Sequence, residues 1–387
     1  VSLKVFILAG EPSGDRLGGA LMAGLKALRP DLCFEGIGGA LMAEQGLRSR
    51  FPMEELSVMG LAEVLPKYRH LKRRIRETAE AVIAQKPDVL ITIDSPDFSL
   101  RVASLVKAGS NIRTVHYVAP SVWAWRPKRA VKMAKSIDQV LALLPFEPPL
   151  MEAAGMECDF VGHPVVAEPL ATKSEIRDLR IQFDLGDAPL VLALPGSRRS
   201  EVTRLGPVFG EALQAFAHFH PGYRVVVPCA APVADLVRAQ AMDWPENTLF
   251  LDPNAYEGAT YGAIKRAAFA APDLALAASG TVSLELAAAA TPMVIAYRFQ
   301  WLTWQVMKRM ALVDTVTLVN LVSETRVVPE CLGPECTSEN IAAQLDTLAK
   351  APQLQKAAMA VTMQRLGQGG EAPGLRAAKA VLRGLAH

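Results

Sequence analysis

The sequence predicts two α/β domains, each an open parallel sheet wrapped by helices, facing a central cleft and followed by C-terminal helices. Three observations lead there. At 387 residues the chain is longer than one ordinary core accommodates, so two domains of somewhat under 200 residues are expected. Short runs that are apolar throughout alternate with amphipathic runs, as strands covered on both faces do. The pattern breaks once, in a polar stretch from Glu168 to Asp187, and then restarts.

In the first half the strand-like runs are Val5 to Ala9, Val89 to Ile93, Thr114 to Val118 and Gln139 to Leu144. In the second they are Leu190 to Leu194, Tyr223 to Val227, Asp273 to Ala277 and Met293 to Tyr297. These place an amino-terminal domain over 1–168, a second domain over 169–345 and a helical tail rich in Ala, Leu, Gln and Lys over 346–387. The tail can pack on the first domain or exchange with a second protomer, which makes a homodimer one expectation. No residue-level repeat relates the halves.

Composition narrows the function. The hydrophobic fraction of 51% against 21% charged residues argues for burial and against disorder. Net charge is only +2, so no global field selects nucleic acid as a partner. The five cysteines are scattered, and no Cys or His pair has ligand spacing, so neither a disulfide framework nor a metal site is expected. Val1-Ser2-Leu3-Lys4 runs straight into a strand without a basic leader, so no signal peptide is expected. No window approaches the roughly 20 apolar residues that cross a bilayer, so membrane contact is expected to be peripheral and the location cytoplasmic.

Ligands of open α/β sheets sit where strands end, so the loops after strands carry the chemistry. The first, Gly10-Glu11-Pro12-Ser13-Gly14-Asp15, lacks both the lysine of a nucleoside-triphosphate loop and the spacing of a dinucleotide fingerprint. Glu11 and Asp15 read equally as helix caps or as catalytic groups. Ile93-Asp94-Ser95-Pro96-Asp97-Phe98 places two carboxylates three residues apart, and either could deprotonate an attacking sugar hydroxyl or form a turn. The run from His116 to Trp125 mixes histidine, proline and two tryptophans, suited to a sugar, an acyl chain or simple packing. His116 and His163 are as readily structural as functional.

Two loops in the second half favour phosphate. Pro195-Gly196-Ser197-Arg198 opens a helix and adds a forked cation. Ser279-Gly280-Thr281 opens another, with Glu285 one turn further in as an acceptor for ribose hydroxyls. Together they fit a nucleoside diphosphate; the plainer alternative is two capped helices. From Glu54 onward, Val58, Met59, Leu61 and Leu65 precede Lys67, Arg69, Lys72, Arg73, Arg74 and Arg76, six cations within ten positions. That describes either an interfacial element for anionic lipid or a solvated basic helix. Phe299 to Met310 is a second aromatic candidate for lipid or for sealing a surface.

In combination these segments resemble the lipid-A-disaccharide synthases, inverting glycosyltransferases of the B-type, two-Rossmann-like architecture. The resemblance runs from Gly10-Glu11-Pro12-Ser13-Gly14-Asp15 through Met53 to Gly60, Asp94 to Phe98, His116 to Trp125, Leu144-Pro145-Phe146-Glu147, Phe160-Val161-Gly162-His163 and both phosphate-friendly loops to Leu318-Val319-Asn320-Leu321. Pro12 stands where a family variant has Thr. The resemblance implies transfer of the sugar of UDP-2,3-diacylglucosamine to the 6-hydroxyl of 2,3-diacylglucosamine 1-phosphate, giving a β-1,6-linked disaccharide phosphate and UDP at the inner-membrane surface. It implies Asp97 as leading general base and Glu11 as a second acid. Around UDP it implies Gly196, Ser197, Arg198, Ser279, Gly280, Thr281, Glu285 and Asn320, with no cofactor and no metal. Two other readings are a UDP-sugar epimerase acting on soluble substrate and a non-catalytic, nucleotide-binding membrane adaptor.

Overall fold

The computed structural model describes residues 2–56, 61–125, 127–240, 244–299, 304–305, 309–310 and 312–386, with side chains described outside 61–68. The chain forms two compact units, 1–167 together with 366–387, and 168–365.

The amino unit is built on a six-stranded parallel sheet ordered β2-β1-β3-β4-β5-β6. Its strands are β1 (Leu3–Ala9), β2 (Leu32–Ile37), β3 (Val89–Ile93), β4 (Arg113–Tyr117), β5 (Gln139–Ala142) and β6 (Glu157–Phe160). Successive side chains of a strand leave on opposite faces, so a strand buried on both sides must be apolar at every position. In β1, Phe6 and Leu8 enter one core cluster while Val5, Ile7 and Ala9 enter the other. Full burial of each large aliphatic side chain is worth roughly 1.5–3 kcal/mol, which fixes both the strand and its register.

The carboxyl unit repeats the architecture in the order β12-β11-β10-β7-β8-β9. Here β7 is Leu190–Leu194, β8 Arg224–Pro228, β9 Leu249–Leu251, β10 Leu274–Ala278, β11 Met293–Tyr297 and β12 Glu330–Leu332. One large cluster fills one face and a smaller one around Leu179, Ile264 and Ala267 fills the other. Strands β2, β6, β9 and β12, absent from the sequence reading, all lie at or beside the sheet margins.

The tail does not act as one piece. Helix Ser338–Lys350 packs on helix Arg199–Phe219, and helix Gln353–Arg365 stays in the carboxyl unit. Only helix Pro373–Leu385 crosses back, lying against helix Pro12–Leu28 of its own chain. The two helices meet at glycine: a Cβ on Gly24 would stand 2.7 Å from the Gly374 carbonyl oxygen. Gln139 Nε2 donates to Ala380 O at 3.1 Å, and Arg376 Nη2 donates to Phe160 O at 2.8 Å with its guanidinium over the Phe160 ring. No helix among the described residues is long and apolar enough to cross a membrane.

Candidate active site

Because every strand of the amino sheet runs the same way, the loops after β1, β3, β4, β5 and β6 emerge at one edge. The loop after β1 separates the two acids that spacing could not. Asp15 is buried and accepts from the backbone N–H groups of Gly39, Leu41 and Met42 at 2.8, 3.0 and 3.1 Å. It pins the start of helix Ala40–Glu44, a structural role. Glu11 is half-buried in extended backbone ahead of helix Pro12–Leu28.

The loop after β3 is strained. Asp94 and Ser95 have φ of 47° and 44°, and Val118, after the neighbouring β4, has φ of 84°. Non-glycine residues avoid this region, a β-branched one most of all, and such strain gathers at functional sites. Asp94 is half-buried, and burial raises its carboxyl above the usual aspartate range against a backbone hydrogen bond at Ser95 that acts the other way. Its own N–H donates to Tyr117 O at 3.0 Å, tying the β3 and β4 loops together. Ser95 Oγ is buried without a hydrogen-bond partner among the described residues, and a Cβ on Gly10 would come within 2.7 Å of it. The loops after β1 and β3 are therefore in contact. Asp97, by contrast, is exposed in the first turn of helix Pro96–Gly109.

Trp123 is held from the next loop. Glu147, only 3% exposed, accepts from Leu143 N and Leu144 N at 3.1 and 2.9 Å and from Trp123 Nε1 at 3.3 Å. Phe146 meets the same indole edge-on at 5.4 Å. Burial pushes the Glu147 carboxyl up to about 7, although the three donors oppose it. His116 Nδ1 lies 2.7 Å from Thr92 Oγ1, and His163 Nδ1 accepts from Val165 N at 3.2 Å. Burial lowers both rings to about 4, so both are uncharged at neutral pH.

In the carboxyl unit the two loops expected to favour phosphate follow the paired strands β7 and β10. They differ. Gly196 has φ of 116°, and a Cβ there would sit 2.6 Å from both Cβ and Oε2 of Glu201. Glu201 Oε2 accepts from Ser197 N and Arg198 N at 3.2 and 3.3 Å, and its Oε1 accepts from Arg198 Nη1 at 2.9 Å. The start of helix Arg199–Phe219 is thus already met by a carboxylate of the protein. At Gly280 an added Cβ would find nothing within 4 Å, and Thr281 is exposed beside it. Glu285, at intermediate exposure, is joined through Oε2 to Lys265 Nζ at 2.9 Å.

Asn320 does not present its amide to a ligand. It is 1% exposed; Nδ2 donates to Val328 O at 2.9 Å and to Thr315 Oγ1 at 3.2 Å, while Oδ1 accepts from Val328 N at 3.0 Å. It clasps the loop that leads to β12. Sequence reading gave no role to Glu147 or Glu201. The signal for Glu201 was an acid three residues after a residue at a helix start, the spacing of a capping box.

Of the stretch read as either lipid-facing or a solvated basic helix, Val58 and Met59 lie outside the described residues. Leu61, Leu65 and Lys67 fall in helix Leu61–Gln85, where their side chains are not described. Arg69, Lys72 and Arg73 are exposed. Arg74 turns inward: it binds Glu55 at 2.8 and 3.0 Å, holds that carboxyl below the usual range and covers the Phe51 ring. In the second aromatic stretch, Phe299 stacks on Trp304, whose ring lies over Gly333.

The chain matches the family model for lipid-A-disaccharide synthetase over residues 5–381. It is 69% identical over 380 residues to the lipid-A-disaccharide synthase of Ruegeria pomeroyi, covering 98% of this chain and 95% of that one. It is 46% identical to the enzyme of that name from Rhodospirillum centenum, covering 98% and 94%. Among solved structures it resembles UDP-GlcNAc 2-epimerase from Neisseria meningitidis bound to UDP-GlcNAc, with a TM-score of 0.61, 13% identity and 99% of each chain covered. A UDP-N-acetylglucosamine 2-epimerase from Listeria monocytogenes gives 0.61 at 14% identity, covering 99% of this chain and 95% of that one. At these identities the epimerases share the fold alone.

Proposed function

Because the chain belongs to the lipid-A-disaccharide synthetase family, a family of glycosyltransferases, we propose that it joins UDP-2,3-diacylglucosamine to 2,3-diacylglucosamine 1-phosphate. The acceptor 6-hydroxyl loses its proton to a carboxylate as its oxygen attacks the anomeric carbon of the donor. The bond from that carbon to the diphosphate breaks on the opposite face, inverting the centre and releasing UDP. The family assignment favours this over an epimerase or a non-catalytic adaptor.

The observation that carries the mechanism is Asp94, half-buried on strained backbone with its carboxyl raised by burial. A carboxylate lifted toward the working pH is the better base, and water is partly kept from it. Exposed Asp97 has no such surroundings, so we assign the base to Asp94, with Asp97 and Glu11 as the flanking acids. Arg198 and the Ser279-Gly280-Thr281 loop receive the diphosphate, Gly196 and Ser197 shape the turn before Arg198, and Glu285 accepts from the ribose. Asn320 braces the segment that leads to β12. Charge growing on the leaving diphosphate is met by fixed donors that need no reorganisation.

UDP release from the two diacylated substrates tests this. Asp94→Asn is expected to lower turnover by about a hundredfold or more with UDP binding retained, and Asp97→Asn by less than about tenfold. The reverse order returns the base to Asp97. Epimerisation of UDP-N-acetylglucosamine with no disaccharide formed would overturn the reaction itself. The acid limb of kcat/KM is expected above the ordinary aspartate range, because burial raises Asp94.

The acyl chains keep both substrates in a bilayer, and exposed Arg69, Lys72 and Arg73 support peripheral attachment to anionic lipid at the cytoplasmic face of the inner membrane. Changing all three to Ser is expected to weaken binding to phosphatidylglycerol vesicles on the order of a hundredfold at low salt. Unchanged partition would remove this helix from the membrane contact.

A further inference from the structure

We propose that Glu201 is a positioning residue for the donor: it closes the start of helix Arg199–Phe219 and holds Arg198 so that the guanidinium grips the terminal phosphate of the nucleoside diphosphate. The inference rests on the donor assignment above and deepens it. Three of the loop's polar hydrogens, on Ser197 N, Arg198 N and Arg198 Nη1, converge on one carboxylate. That carboxylate's side chain is only 10% exposed, against 64% for Arg198. A diphosphate aimed at the same amides would have to displace an anion attached four bonds from the helix backbone and already desolvated, which is costly. Gly196 shows the enclosure is built in, since no side chain fits between it and Glu201.

Glu201 engages only Nη1, and among the described residues nothing else holds Nε or Nη2 of Arg198. The guanidinium is therefore fixed at one corner and presents its other edge outward, the geometry that a bidentate phosphate contact needs. In the adjoining loop, after the strand paired with β7, the space around Gly280 is open. One loop supplies an oriented cation and the other supplies room and hydroxyls. A plain helix cap would need neither the contact to the Arg198 side chain nor its outward edge.

UDP carries the terminal phosphate and UMP lacks it, so their ratio of affinities reads the Arg198 contact. Calorimetry on the full chain would compare wild type, Arg198→Ala, Glu201→Ala, Glu201→Gln and the double alanine variant, with thermal melts to confirm folding. Arg198→Ala and Glu201→Ala are each expected to lower the UDP to UMP preference roughly tenfold, and the double variant no further than Arg198→Ala alone. Glu201→Gln, which keeps the volume but cannot accept from both the loop and Arg198, is expected to lose preference while still folded. A preference unchanged in both Glu201 variants overturns the proposal, as does tighter UDP binding in Glu201→Ala, which would make the freed amides the phosphate site. A wild-type chain without affinity for UDP would instead remove the donor assignment, and this inference with it.

Discussion

The loop edges of the two units solve the backbone problem in opposite ways. In the amino unit the left-handed positions after β3 and β4 are occupied by Asp94, Ser95 and Val118, residues that hold such angles only under constraint. In the carboxyl unit the turn after β7 is made by Gly196, for which the same region carries no Cβ penalty. Ionisation differs as well. Burial raises Cys158 and Tyr117 of the amino unit and Cys229, Tyr261 and Cys331 of the carboxyl unit alike, but the groups it moves into the range between about 4 and 7, His116, Glu147 and His163, lie in the amino unit. The edge after β3 and β4 is strained, whereas the turn after β7 is relaxed at its glycine.

The largest test of that contrast is Gly196→Ala. The new Cβ meets Glu201 in a backbone conformation that favours glycine, so a loss of about 2–4 kcal/mol is expected in urea unfolding. Gly280→Ala, whose methyl enters open space, is expected to cost less than about 1 kcal/mol while weakening UDP binding. Equal destabilisation of the two would erase the distinction between a closed loop and an open one.

Acid should act on the amino unit first. His116 and His163 titrate near 4 in the fold against about 6.5 unfolded, so their contribution is complete above pH 6.5 and is lost as pH falls through 4. Glu147 has the opposite sign: raised to about 7, it favours the fold below about pH 4.5 and loses that contribution as pH rises through 7. Melts between pH 7.5 and 4.5 are expected to show falling stability, and Glu147→Gln is expected to steepen the fall. A slope unaltered by that substitution would mean that the Glu147 carboxyl is not linked to folding.

The smallest effect expected is a gain. Ser95 makes no side-chain cap, its hydroxyl has no partner among the described residues, and its φ suits glycine, so Ser95→Gly is expected to add about 1 kcal/mol of stability. Turnover should fall, because the strain that aims Asp94 is released. Higher stability with full activity would show the strain to be incidental.

Much of this was legible in advance, for reasons that differ by element. Central strands such as β3 and β7 are buried at every position and announce themselves as unbroken apolar runs. The margin strand β2, Leu-Cys-Phe-Glu-Gly-Ile, alternates partly exposed and exposed positions over its first four residues, and β9 and β12 are three residues long, so neither signal reaches them. The loops that carry the site could be found because they follow strands. Which acid is buried in Asp94-Ser95-Pro96-Asp97 could not, since spacing says nothing of the strained turn that sends one inward and leaves the other out. Nor could the setting of Asn320, which the resemblance put around UDP and whose amide makes three internal bonds. The tail read as one helical block, yet tight glycine contacts draw only its last helix to the amino unit.

That returning helix dictates an order of assembly during synthesis. Residues 168–365 form a contiguous unit that can close as soon as they leave the ribosome, but the first 167 must wait for a partner encoded roughly 200 codons later. At translation speeds of about 5–20 residues per second the delay is on the order of 10–40 s, during which the groove that receives helix Pro373–Leu385 stays uncovered beside helix Pro12–Leu28. The half of the molecule made first is therefore the half finished last, and it is the one a nascent-chain chaperone would have most reason to shelter.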